Sequence, residues 1–258
     1  MRNKKAFSLP ELLIATAILM IILTLLARAL MGSSTAVNSI ITEAQLLEDT
    51  RSAGQIISDS LSRAVYIYPP NKTILLNTAS SWTVQNPNGA KNKWISGQDP
   101  ILAFIEAAEK PGKCSKNNEK SCLYFVAYYP LKRSVVVANA IYGKALSDKQ
   151  NQDSWVLFEY RKRLEINQLS EAHQPPLLIS RSSGKLLADF IAADSGFKIA
   201  KIVCKNPDGT KYCKNNTEPY YRETISSGEF TLSAEYNRKT GHSKTPDMVF
   251  SIAARNLE

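Results

Sequence analysis

The chain has 258 residues, 44% of them hydrophobic and 21% charged, with a formal net charge of +9. An apolar fraction of that size is ordinary for a folded protein and excludes a wholly disordered chain, and the length allows one large folded part or two small ones. Three cations, Arg2, Lys4 and Lys5, precede the first apolar run and leave about +6 for the remainder, a balance that suits a solvated basic surface or a site for anionic polymers.

Met1 to Ala6, MRNKKA, is a short basic leader. Phe7 to Ala27 then reads FSLPELLIATAILMIILTLLA, with no charge from Leu12 onward. At about 1.5 Å per residue this run spans roughly 30 Å as a helix, the thickness of a bilayer's hydrocarbon core. The basic residues before it would anchor it on the cytoplasmic side. A cleaved secretory signal has a shorter apolar region ending at a small-residue site. Here the apolar run passes directly into more helical sequence, so the segment reads as retained. Pro10 suits the first turn of a helix, where amide hydrogens lack intrahelical partners. Glu11 stands out, because an ionisable group at the edge of lipid costs free energy unless paired and is a functional candidate by default.

Between Pro10 and Pro69 there is no proline. Ile40, Ala44, Leu47, Gly54, Ile57, Leu61, Ala64 and Tyr68 recur at helical steps, while Glu43, Glu48, Asp49, Arg51, Asp59 and Arg63 occupy other faces. The pattern predicts one helix from about Leu9 to Tyr68, stopped by Pro69-Pro70, with its first half in lipid and its second half carrying a domain. Gly32, Ser33, Ser34 and Thr35 are weak helix formers and mark where a bend is expected.

After Pro70 come short runs rich in β-branched and aromatic residues, which predict strands at 73–76, 81–85, 101–107, 122–130, 134–142 and 154–164. Leu123 to Tyr142 reads as a hairpin turning near Pro130 to Arg133. KLLADFIAA at 185–193 suits either a second helix or a loop-and-strand element. Strand character returns at 197–204, 229–237 and 248–256, the middle run with clean alternation. The fold class expected is α+β, a helix end packed on an antiparallel sheet.

Four cysteines fall in two close pairs, Cys114 with Cys122 and Cys204 with Cys213. If the N-terminus stays cytoplasmic, the rest lies in an oxidising compartment, and two small loop-closing disulfides are the favoured reading among three possible connectivities. Their spacing, with only His173 and His242 in the chain, does not match structural zinc. Around the cysteines lie Lys110, Lys113, Lys116 and Lys120, then Lys201, Lys205, Lys211 and Lys214, with Tyr212, Tyr220, Tyr221 and Arg222 near the second group. Basic and aromatic side chains interleaved in this way can hold DNA. The favoured reading is that they keep exposed loops soluble, with Glu119, Asp208 and Glu218 nearby, since no base-reading motif accompanies the charge. No phosphate loop, nucleophile elbow or zinc-protease motif is present, so the reading is not an enzyme, with no cofactor and no metal.

The residues KKAFSLPELLIATAI resemble the N-terminal processing motif of the type IV pilin family, which comprises pilus subunits, competence pseudopilins and type II secretion pseudopilins. The resemblance implies cleavage by a prepilin peptidase between Ala6 and Phe7, N-methylation of Phe7, and Glu11 at mature position five as an assembly contact. The family usually has Gly before the cut. Ala6 is small enough to be accepted, with retention of the leader as the alternative. The implied organisation is a leader at 1–6, a transmembrane and assembly helix at 7–28, its amphipathic continuation at 29–68 and a β-rich head at 69–258. The large head, ISDSLSRAVYI and FSIAARN are similar to the minor subclass that includes the J-type pseudopilin and the W-type minor pilin. The resemblance implies other pilin or pseudopilin subunits, the peptidase and the inner membrane as partners, with the head outside the cytoplasm, and the lysine-bearing loops add DNA as a candidate partner.

Overall fold

The computed structural model describes residues 9–68, 70–76, 82–88, 92–107, 123–139, 148–164, 184–205, 225–238 and 241–253. Two compact units divide the chain, Met1–Gln45 and Leu46–Glu258. The first is built on the opening part of helix α1, which runs Leu9–Ser62.

In the second unit the buried residues of α1 are Leu46, Thr50, Ala53, Gly54, Ile57, Ser60 and Leu61, a stripe at helical steps of three and four. Gly54, Ile57 and Leu61 match the predicted stripe. Leu46, not Leu47, faces inward, since Leu47 is 42% exposed. Thr50 is tolerated inside because its hydroxyl donates to the Leu46 carbonyl at 2.6 Å.

The helix ends at Ser62, not at Tyr68 as its periodicity suggested. Arg63 turns the chain, its N–H donating to the Ser60 carbonyl at 3.1 Å, and β1 (Ala64–Ile67) follows. A helix through Val65, Tyr66 and Ile67 would bury one stripe. As a strand, this segment sends Ala64 and Ile67 to one apolar cluster and Tyr66 to the other, and β-branched and aromatic residues favour that geometry.

A five-stranded antiparallel sheet of order β1-β4-β5-β6-β7 is completed by β4 (Leu102–Ala107), β5 (Leu123–Lys132), β6 (Trp155–Arg163) and β7 (Lys185–Ile191). Its residues alternate between two cores. Ile105, Phe125, Tyr129, Phe158 and Tyr160 belong to one cluster, with Trp94 and Val136. Phe104, Val126, Tyr128 and Leu157 belong to the other, with Ile57, Leu61, Phe197 and Phe230. Successive strand residues point to opposite faces, so both faces are covered, and this is why the central strand is apolar almost throughout.

The first face is covered by a ribbon of β2 (Thr73–Leu75) and β3 (Lys93–Ile95), a 3-10 turn at Trp82–Val84 and helix α2 (Arg133–Asn139). The second is covered by α1 and a three-stranded antiparallel sheet of order β12-β9-β8, formed by β8 (Phe197–Lys205), β9 (Ile225–Leu232) and β12 (Met248–Ala253). Strands β10 (Glu235–Arg238) and β11 (Gly241–Lys244) pair with each other.

Several sequence readings are corrected. Of the strand expected at 81–85, the described residues form none: Trp82–Val84 is a 3-10 turn, and the Tyr129 hydroxyl donates to its Thr83 carbonyl at 2.7 Å. In the run at 134–142, expected as the second arm of a hairpin, the described residues are helical instead, Arg133–Asn139 burying Arg133 and Val136 at a helical step. No hairpin turns at Pro130 to Arg133. Pro130 lies within β5 opposite Leu157, past Tyr128, where pairing with β4 stops, so the strand has one neighbour there and tolerates a residue without an N–H. Of the two readings of 185–193, strand is the observed one. Residues 229–237 divide between β9 and β10, with Ser233 and Ala234 carrying the chain from one sheet to the other.

Candidate functional site

Glu11 lies in the first turn of α1, where a carboxylate complements the partial positive charge of the helix N-terminus. Behind it, every Leu, Ile and Met from Leu12 to Leu26 is exposed, from 48% at Ile22 to 69% at Met20. A helix with apolar side chains on all sides suits lipid or the helices of other subunits. Its hydroxyls are compatible with that setting: Thr16 donates to the Leu13 carbonyl at 3.0 Å and Thr24 to the Ile21 carbonyl at 2.8 Å. Among the described residues, α1 is the one helix long and apolar enough to cross a membrane. Ala6 and Phe7 lie outside the described residues.

In the second unit, Cys114, Cys122, Lys113, Lys116 and Lys120 fall in the connection from β4 to β5, and Cys213, Lys211 and Lys214 in that from β8 to β9. All eight lie outside the described residues. Cys204 and Lys205 are the last residues of β8, in register with Ser226 and Ile225. Both connections close antiparallel hairpins, with Ala107 opposite Leu123 and Lys205 opposite Ile225. Ser60 Oγ donates to Glu106 Oε2 at 2.5 Å, and a Cβ added to Gly228 would stand 2.9 Å from Leu61 Cδ2. The last turn of α1 therefore touches β4 beside one hairpin opening and β9 close to the other. The two strand-pair ends, Ala107 with Leu123 and Lys205 with Ile225, therefore lie at the pole of the head where α1 ends.

That pole holds charges which sequence reasoning missed. Glu106 is fully buried, its carboxylate in direct contact with the Arg161 guanidinium and 3.6 Å from Arg63. Arg161 also reaches Glu159 at 3.5 Å and lies over the Tyr124 ring at 5.1 Å. The available signal was a lone carboxylate inside the apolar run ILAFIEA. Partial burial raises the Glu159 carboxyl above its usual range, with Lys185 on the neighbouring strand opposing. Burial likewise drives the Tyr128 hydroxyl well above an ordinary phenol. Elsewhere, buried Arg133 forks onto Asp189 at 2.9 and 3.1 Å and stacks 4.5 Å from the Phe190 ring centre. Phe190 has a φ of 58°.

A cleft of about 400 Å³ is lined by Asp99, Trp155, Asp194, Phe197 and Lys198. Its Asp99 carboxylate shapes the local turn, accepting from the Ile95 N–H at 2.6 Å and the Asn88 amide at 3.3 Å. His242 contacts the Asn237 side chain at 2.6 Å and Glu235 at 3.6 Å. Among the described residues no group of histidine, cysteine and carboxylate side chains is arranged to hold a metal.

The prokaryotic N-terminal methylation motif matches residues 1–27. No curated protein and no solved structure matches the chain. The matched segment contains the basic leader, Phe7, Glu11 and the apolar opening of α1, and a motif of this kind belongs to structural subunits that are processed by prepilin peptidase and assemble with other pilins. Residues 1–27 are thus a type IV prepilin-like signal, followed by a long N-terminal helix and an antiparallel β-sheet region in a pilin-like architecture that fits a membrane-anchored protein.

Proposed function

We propose that the chain is a minor pilin or pseudopilin, a structural subunit that enters or initiates a type IV pilus-like filament. The observation that carries this reading is the methylation motif continuing into a helix whose apolar side chains are exposed on all sides. The peptidase cuts between Ala6 and Phe7, Phe7 is N-methylated, and the subunit waits in the inner membrane with its head outside the cytoplasm. In the filament, apolar helix faces exchange lipid for neighbouring helices. The Glu11 carboxylate there meets the Phe7 amine of an adjacent subunit, a pairing that offsets the cost of carrying charge in apolar surroundings.

Glu11→Ala tests the assembly step and mass spectrometry of the membrane-extracted protein tests processing. The expected result is a mature chain beginning at methylated Phe7 in both forms, with the variant reduced at least about tenfold in sheared filaments, as loss of one partner of a desolvated ion pair implies. Normal incorporation of the variant would remove the pairing, and an intact Met1 terminus in all molecules would remove the processing.

A second reading is a tip protein that contacts DNA or another anionic surface. It is favoured by the position of the strand ends that lead into both lysine-bearing segments, Ala107 with Leu123 and Lys205 with Ile225, at one pole of the head. Changing Lys113, Lys116, Lys120, Lys205, Lys211 and Lys214 to Gln should abolish a salt-sensitive shift of labelled DNA while filaments persist. Absence of any shift by the unaltered protein at low salt would exclude this reading.

A further inference from the structure

We propose that Glu106 is a lock joining the end of α1 to the sheet, and that without it the helix end opens separately from the rest of the head. Glu106 is the one fully buried carboxylate among the described residues. It stands on β4, and it takes donors from both sides of the join. Ser60, in the last turn of α1, donates its hydroxyl to Oε2 at 2.5 Å, and Arg63, the residue that turns the chain, brings its guanidinium to 3.6 Å of the same oxygen. Arg161, on β6, contacts the other oxygen. Glu159 and the Tyr124 ring hold Arg161 from its far side. A charged hydrogen-bonded group sealed from water is strong while complete and costly when one member is removed.

The backbone at this point is poorly suited to the same task. No glycine or proline ends the helix between Gly54 and Pro69. At the turn the Arg63 N–H donates to the Ser60 carbonyl at 3.1 Å. The β1–β4 ladder shifts register between Ala64 and Tyr66, directly after the pair formed by Ala64 and Glu106 itself. A bulge leaves backbone groups out of the ladder. The side chain of Glu106 spans the irregularity and ties the helix to two strands at once. Leu61 and Ile57 anchor the helix by apolar contact on one side, but such contacts do not select the position of the turn. The inference does not depend on the filament reading.

The test is hydrogen–deuterium exchange on the full chain in detergent micelles, comparing the unaltered protein with Glu106→Gln and Ser60→Ala. Asp189→Asn, which weakens the separate Arg133 contact, serves as the control. Glu106→Gln should raise exchange at residues 57–68 by about ten- to a hundredfold, the loss expected for a charged buried hydrogen bond, while β8 and β9 keep their protection. Ser60→Ala, which removes a donor without altering charge, should raise exchange in the same segment by a smaller factor. The control should leave 57–68 unchanged. A uniform rise across the head, or no change at 57–68, would overturn the lock. Should Glu106→Gln fail to fold, Ser60→Ala alone decides, and unchanged exchange at 57–68 in that variant rejects the proposal.

Discussion

Gly54 and Glu159 show how single positions are set by what faces them. A Cβ on Gly54 would stand 2.1 Å from the Phe250 ring, so helix and β12 approach at a spacing that only hydrogen permits. Gly54→Ala should cost about 1–3 kcal/mol as overpacking, in spite of alanine's better helix propensity. In a Phe250→Ala background Gly54→Ala should be nearly neutral, a coupling that a double-mutant cycle measures by denaturant unfolding. Glu159 tests charge. Burial raises its folded carboxyl pKa above the unfolded value, so the stability it contributes is present at acid pH and lost as pH rises through the folded pKa. Glu159→Gln should therefore raise Tm at neutral pH, and the gain should shrink as pH falls below the ordinary carboxylate value. A gain that is the same at both pH values would contradict burial as the cause.

At the scale of elements, α1 carries two different kinds of surface in one helix. Its opening part leaves Leu and Ile side chains exposed, whereas beyond Leu46 one stripe sinks into the head. Ile57 and Leu61 are fully buried there. Leu61→Ala should cost about 2–5 kcal/mol of head stability, read from chemical denaturation, while Leu19→Ala should leave that value unchanged. The strands of the five-stranded sheet were legible because β-branched and aromatic runs lie between turn residues. Two elements were not. The valines of α2 suggested a strand, yet Arg133 and Val136 bury at a helical step, with Arg133 held by Asp189 on β7. The end of α1 was hidden for a similar reason: nothing local stops the helix at Ser62, and pairing of β1 with β4 competes for the same residues. Both outcomes depend on partners remote in sequence.

For the molecule as a whole, the two cores make the head sensitive to alkali. Tyr68, Tyr128 and Tyr129 are buried, and burial raises each hydroxyl well above the ordinary value of 10.0. Folded-state pKa values raised in this way give stability that is complete below the unfolded value and falls as pH rises above it. The tyrosinate absorbance of these three residues should then appear together with the loss of circular dichroism, in one cooperative step above pH 10.0. Ionisation of all tyrosines with the fold intact would show that these hydroxyls are not sealed. The sequence by itself determined the processing signal, the helix able to cross a membrane and the α+β class, because those depend on a local motif, a run of apolar residues and short-range periodicity. Only the tertiary structure decided where α1 ends, which face of it is buried, that Glu106 meets Ser60, Arg63 and Arg161, and that the ends of the β4–β5 and β8–β9 pairs lie at one pole of the head. Those features arise from pairing between residues far apart in the chain, and their stabilisation comes from burial, which no local pattern records.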